Sequence, residues 1–188
     1  MRKIGILIFC LLCLFGCINQ KKESNLTKNA VDQRPNILWI VVEDLSPVLP
    51  SFGDSTIVTP NISRLAAEGV RYTNVYSPSG VCAPSRASIA TGMYQNHIGA
   101  QHMRTRGNSK FLPEGIQAYG AMPISGIKMH SEHLRLEGYY CSNNSKEDYQ
   151  FKAPVTAWDE SSKDAHWRNR RPNQPFFAIF NLMVTHES

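Results

Sequence analysis

Cys82-Ala83-Pro84-Ser85-Arg86 brings a thiol, a proline and a guanidinium together within five residues. Pro84 to Thr91 reads as a helix, with Gly92 just past its end, so Cys82 stands at a helix start. The unsatisfied N–H groups and the dipole at such an end favour an anion or a polarised nucleophile. Arg86 lies one turn on and can aim a planar cation at the same spot. The alternative is a small buried cysteine beside a helix start, and the spacing alone leaves both readings open.

Other reactive residues gain meaning from the elements that must carry them. Asn36 to Val42 is a continuous apolar, β-branched run, the pattern of a strand buried on both faces of a parallel sheet. Phe176 to Val184 is a second such run, and Tyr139 to Asn143 a shorter strand. Thr59-Pro60 opens a helix carrying Ile62, Leu65 and Ala66 and stopped by Gly69. His130 to Glu137 is a third helix, closed by Gly138, and Val70 to Tyr76 alternates as a strand would. Arg104 to Lys128 is a long loop, and Lys152 to Pro175 is polar and irregular, with Trp158 and Trp167 as anchors. Strands alternating with helices predict an α/β fold with a mostly parallel sheet flanked by helices.

In such sheets ligands bind beyond the carboxyl ends of the strands. Glu43-Asp44 follows the first strand, Cys82 the second, Lys146 and Asp148 the Tyr139 strand, and His186 the last. A carboxylate pair, a thiol, a lysine and a histidine thus gather at one sheet edge. His97 and His102 flank the same side and are weaker candidates for substrate contact. His130 and His133 lie at i and i+3, where a solvated face outweighs a metal pair. Arg168, Arg170 and Arg171 form a basic cluster best read as a solvated loop, and Trp39 is core.

The formal charge of the 188 residues is +5, and two of the basic residues are Arg2 and Lys3. Setting those aside leaves 18 basic against 15 acidic residues, too even a balance to motivate a nucleic-acid partner. Met1 to Lys3 is a basic start, followed by an apolar run to Phe15 that is too short to span a bilayer. Leu14-Phe15-Gly16-Cys17 resembles a bacterial lipoprotein lipobox. That resemblance implies a leader over 1–16, lipidation of Cys17, a polar tether over 17–34, and a protein exported from a bacterial cell. Its place would be the membrane, by lipid anchor only, or the periplasm or cell surface. Of five cysteines only Cys82 and Cys141 lie in the body of the chain, so no structural disulfide is expected.

Cys-x-Pro-Ser-Arg followed by Ala-Ser-x-x-Thr-Gly closely resembles the signature of type I sulfatases. The lead-in Arg34-Pro35-Asn36-Ile37-Leu38 and the Thr59-Pro60-Asn61-Ile62 segment, with Leu65-Ala66 and Glu68-Gly69-Val70, are similar as well. The wording is most similar to heparan N-sulfatase-like members. The resemblance implies an alkaline-phosphatase-like fold, with 35–188 as the N-terminal part of a catalytic domain that is incomplete at its C-terminus. It implies that a formylglycine-generating enzyme oxidises Cys82, and that the hydrated aldehyde attacks sulfur. Arg86 would hold that hydrate. Glu43 and Asp44, with residue 82, would bind Ca2+ or Mg2+, Glu43 standing where an aspartate is usual. Lys146 would contact the sulfate, Asp148 replaces a histidine and would read a sugar hydroxyl or amine or shape the pocket, and His186 would protonate the leaving group or orient the sulfate. The implied substrate is a sulfated carbohydrate, cleaved as sulfate ester or sulfamate. Further metal ligands and a second lysine would have to come from beyond Ser188, so the chain alone is expected to be inactive. Two other readings stand beside this one: a phosphoester or phosphonate hydrolase of the same superfamily, and a non-catalytic truncated lipoprotein.

Overall fold

The computed structural model describes residues 34–103, 113–115 and 119–186. The leader, Cys17 and the tether up to residue 33 lie outside the described residues, as does part of the 104–128 loop. Among the described residues no helix is long and apolar enough to cross a membrane.

Among the described residues four strands form one sheet: β1 (Ile37–Val42), β2 (Tyr140–Asn144), β3 (Glu160–Ser161) and β4 (Phe176–Leu182). Their order is β1-β4-β2-β3, and every neighbouring pair is parallel. β4, Phe-Phe-Ala-Ile-Phe-Asn-Leu, runs between β1 and β2, with Ile37 opposite Phe177 and Tyr140 opposite Phe176. Its continuous apolar run suits that central place, and Phe177, Ala178 and Ile179 are buried. All four carboxyl ends therefore face one edge, where the reactive residues collect.

β1 departs from the expectation of burial on both faces. It lies at the edge of the described sheet, with Leu38 47% and Ile40 59% exposed. Val70 to Tyr76 forms no strand and is exposed throughout. An alternating pattern supplies side chains for two faces, but a strand also needs a neighbour for its N–H and C=O groups, and none pairs here. β3 is a short strand inside the stretch read as irregular, held where Ser142 pairs with Glu160.

Among the described residues three α-helices accompany the sheet: α1 (Pro60–Glu68), α2 (Cys82–Thr91) and α3 (His130–Leu136). In α1 the Thr59 carbonyl accepts from Ser63 N at 2.9 Å, and Gly69 N closes the end on Leu65 O at 2.9 Å. A side chain at position 69 would meet that carbonyl, so only glycine fits there. α2 begins two residues earlier than Pro84. Val81 O accepts from Ser85 N at 3.2 Å, and Cys82 is already helical. Pro84 is tolerated because N–H groups of the first turn have no intrahelical acceptor. Gly92 ends α2 in the left-handed region, φ 67°, donating to Ser88 O at 2.8 Å. Small residues on one side of α2, Ala83, Ala87 and Ala90, are buried and allow close approach.

α3 corrects the reading of His130 and His133 as one solvated face. His133 is exposed, but His130 turns inward, its Nδ1 donating to Ala90 O at 3.0 Å. Its ring lies 5.1 Å from those of Trp39 and Phe177. Burial holds the imidazole below its ordinary pKa of 6.5 against the opposing pull of the Ala90 and Ile89 carbonyls. Trp158 is an anchor as expected, stacked on Phe177 at 6.0 Å, with Cys141 and Met129 in the same core. Trp167 stacks on Phe176. Arg170 is a local fastener rather than part of a solvated cluster, donating to Gln174 O at 2.8 Å and Trp167 O at 2.9 Å.

Candidate active site

The residue after β1 is the hub of the carboxyl edge. Glu43 N–H donates to Leu182 O at 3.1 Å, continuing the β1–β4 ladder, and its carbonyl accepts from the Thr185 hydroxyl. Its side chain is only 6% exposed. Oε1 pairs with Arg86 Nη2 from α2, and Oε2 accepts from Lys146 Nζ at 2.6 Å, from the turn after β2. Burial alone would raise the Glu43 pKa. The Lys146 and Arg86 hydrogen bonds, reinforced by their charges, outweigh it and hold the carboxyl below 4.5.

The cations are held from a second side too. Arg86 Nη1 donates to Asn181 Oδ1 at 2.9 Å and reaches Lys146 O at 3.4 Å. Asn181 in turn donates to Asn143 Oδ1 at 3.0 Å and Asn144 O at 3.2 Å. Lys146 Nζ lies 3.7 Å from Asp148 Oδ2. Asp44 and Asp148 both adopt positive φ, 53° and 50°, which lets the chain turn sharply off β1 and off the turn after β2.

Cys82 borders the same cleft, about 350 Å³, together with Glu43, Asp44, Ser85 and Arg86. Its thiol is half-buried and makes no disulfide; Sγ lies 3.8 Å from Met103 Sδ. Ser77 Oγ and Ser85 Oγ, 2.7 Å apart, tie the preceding loop to the first turn of α2. Much of the remaining lining is apolar, with Trp39, Val41, Ile89 and Ile179, and it includes His130.

The residues expected at the site do not all converge. Glu43, Arg86, Lys146 and Asp148 form one contact network, and Cys82 and Asp44 share the cleft. His186 sits after β4, its N–H bonded to Met183 O at 3.1 Å, half-buried and outside the cleft lining. His97 is exposed beyond α2. His102 is exposed as well, its ring 4.9 Å from Tyr119, although the next residue is the Met103 that touches Cys82. Asn181 and Asn143 escaped the sequence reading. A polar residue within an apolar strand run is the signal that marks them, because a buried amide needs a partner.

Glu43 and Asp44 supply hard oxygen donors, but the described residues do not by themselves fit a calcium ion, which takes six to eight oxygens. No group of three or more His, Cys, Asp or Glu among them is arranged to hold a metal, and both Glu43 oxygens already face cations.

Comparison with known proteins identifies the family. Residues 35–123 match the sulfatase family. An ulvan-active sulfatase of Formosa agariphila is 56% identical over 192 aligned positions, covering 100% of this chain and 32% of its own length. An N-acetylglucosamine-6-O-sulfatase of Bacteroides thetaiotaomicron is 30% identical, covering 94% of this chain and 34% of its own length. This chain thus spans about a third of such relatives. A protein solved in complex with its substrate D-glucosamine-2-N,6-O-disulfate superposes with a TM-score of 0.62 at 20% identity, over 82% of this chain and 35% of its own. The shared architecture is the alkaline-phosphatase-like fold. The signature at Cys82 lies within the matched region, and the chain belongs to the sulfatase family.

Proposed function

We propose that the protein of which 35–188 forms the N-terminal part of the catalytic domain hydrolyses sulfuric esters of a sulfated carbohydrate. The observation that carries this is one cleft bordered by Cys82, Arg86 and Glu43, with Lys146 bound to the Glu43 carboxylate. The 56% identity to an ulvan-active sulfatase supports a sulfated polysaccharide of that kind as substrate.

The nucleophile is residue 82 after oxidation of its thiol by a formylglycine-generating enzyme. In hydrated form the aldehyde supplies one hydroxyl to attack sulfur and a second whose ionisation releases sulfate, which a thiol cannot do. The half-buried position at the first turn of α2 fits that group, open to the cleft and beside Arg86. Arg86 orients the nucleophile. Lys146 binds a sulfate oxygen, and both cations counter the negative charge that grows on the transferring group. The resemblance gives proton donation to the departing sugar oxygen to His186, which stands after β4 but outside the cleft lining, and His97 and His102, both exposed, are the weaker candidates for glycan contact. The resemblance implies a Ca2+ or Mg2+ ion here, and the residue roles above do not depend on it. Export with a lipid on Cys17 completes the proposal and would put the enzyme where polysaccharide is met.

The test is to produce the full protein with a maturation enzyme, map the peptide containing residue 82 by mass spectrometry, and follow sulfate release from ulvan by ion chromatography. The aldehyde should be found, and Cys82→Ala should abolish release. Full turnover with an unmodified cysteine would sink the mechanism. Faster hydrolysis of an aryl phosphate than of any sulfated substrate would move the protein to the phosphoester branch.

A further inference from the structure

We infer that Glu43 is a positioning residue that holds Arg86 and Lys146 in one orientation, rather than a metal ligand. Arg86 comes from α2 and Lys146 from the turn after β2, and one long contact, Arg86 Nη1 to Lys146 O at 3.4 Å, joins them directly. Glu43 bridges them, Oε1 to Arg86 and Oε2 to Lys146 at 2.6 Å. Two cations this close repel each other, and a carboxylate between them removes that cost. Its own backbone is fixed twice to the β4 side, at Leu182 O and at the Thr185 hydroxyl, so the bridge is anchored at its root. Each cation also has a second tether, Arg86 on Asn181 and Lys146 beside Asp148, which sets its direction. A divalent ion approaching Glu43 would meet the positive heads of Arg86 and Lys146, whereas Asp44 is exposed toward the same cleft. Glutamate is one methylene longer than aspartate, which extends its reach toward two elements.

The kinetic part of the inference rests on the sulfatase reading; the metal-binding part does not. The experiment uses the full matured protein, stripped of metal with a chelator, titrated calorimetrically with calcium chloride alone, and assayed on ulvan. Glu43→Gln, Glu43→Asp and Asp44→Asn are compared, and acetylation of Lys146 by acetic anhydride is timed by mass spectrometry. For Glu43→Gln, calcium affinity should stay within about threefold of the parent while KM rises about tenfold or more and Lys146 acetylates several-fold faster. Glu43→Asp keeps the charge but cannot span both cations. It should show the same pattern in weaker form, and it carries the test if the glutamine variant does not fold. A loss of calcium affinity in either Glu43 variant as large as that in Asp44→Asn overturns the inference, and so does unchanged Lys146 reactivity. If the parent releases no sulfate from any glycan, the sulfatase reading fails, while calcium affinity and Lys146 acetylation still judge Glu43.

Discussion

The carboxyl edge of the sheet and the core behind α2 each bury a carboxylate or imidazole and each hold a cysteine, but they treat charge in opposite ways. At the edge, Glu43 stays ionised because Arg86 and Lys146 reach it. In the core, His130 is held neutral and Cys141 is pushed up to about 12, chiefly by burial, with the nearby Asp159 charge adding to it. Burial penalises charge at both places, and the outcome depends on whether an opposite charge is within reach. One region pairs charges beside a half-buried cysteine, and the other packs rings around a thiol that stays a thiol.

The largest effect should come from cutting the edge network. Arg86→Ala leaves Glu43 and Asn181 without their shared donor, and sulfate release from the full protein should fall by about 10²–10³, measured as kcat/KM. The matching cut in the core is Phe177→Ala. Phe177 is 1% exposed and touches Trp39, His130 and Trp158, so its loss should lower unfolding free energy by about 3–5 kcal/mol in urea titration. Specific activity per folded molecule should hardly change.

The two cysteines sharpen the contrast directly. In protein not matured by the modifying enzyme, iodoacetamide should label Cys82 at least about 10² times faster than Cys141, read by peptide mapping. Equal rates would mean that the Cys141 core opens readily. Acid separates the regions by pH. Unfolding exposes His130 to its ordinary pKa of 6.5, so the unfolded chain binds a proton that the native one refuses, and stability falls as pH drops below 6.5. Glu43 acts lower: its pairing contributes above 4.5 and is lost as pH falls through its depressed pKa. Melting temperatures should show both phases, and His130→Phe should remove only the first. The smallest effect is at the surface, where Arg135→Gln breaks the half-exposed pair with Asp159 at 2.9 Å and should cost about 0.2–1 kcal/mol.

Much of the fold was legible because its signals are local. Apolar runs marked β1 and β4, Pro60 and Gly69 bounded α1, and Gly92 ended α2. Val70 to Tyr76 misled because alternation speaks of side chains and says nothing about a pairing partner. His130 misled because its i, i+3 spacing with His133 does not say which side of α3 meets Ala90.

The sequence by itself determined the α/β class, the Cys82 signature and the gathering of Glu43, Asp44, Arg86 and Lys146 at one sheet edge, since parallel strands put all their carboxyl ends together. Only the tertiary structure decided who touches whom: that Glu43 bridges Arg86 and Lys146, that Asn181 braces the arginine from inside β4, and that His130 lies in the core. Those contacts join residues from 40 to 103 positions apart, and a chain carries no local mark of partners that only packing brings within reach.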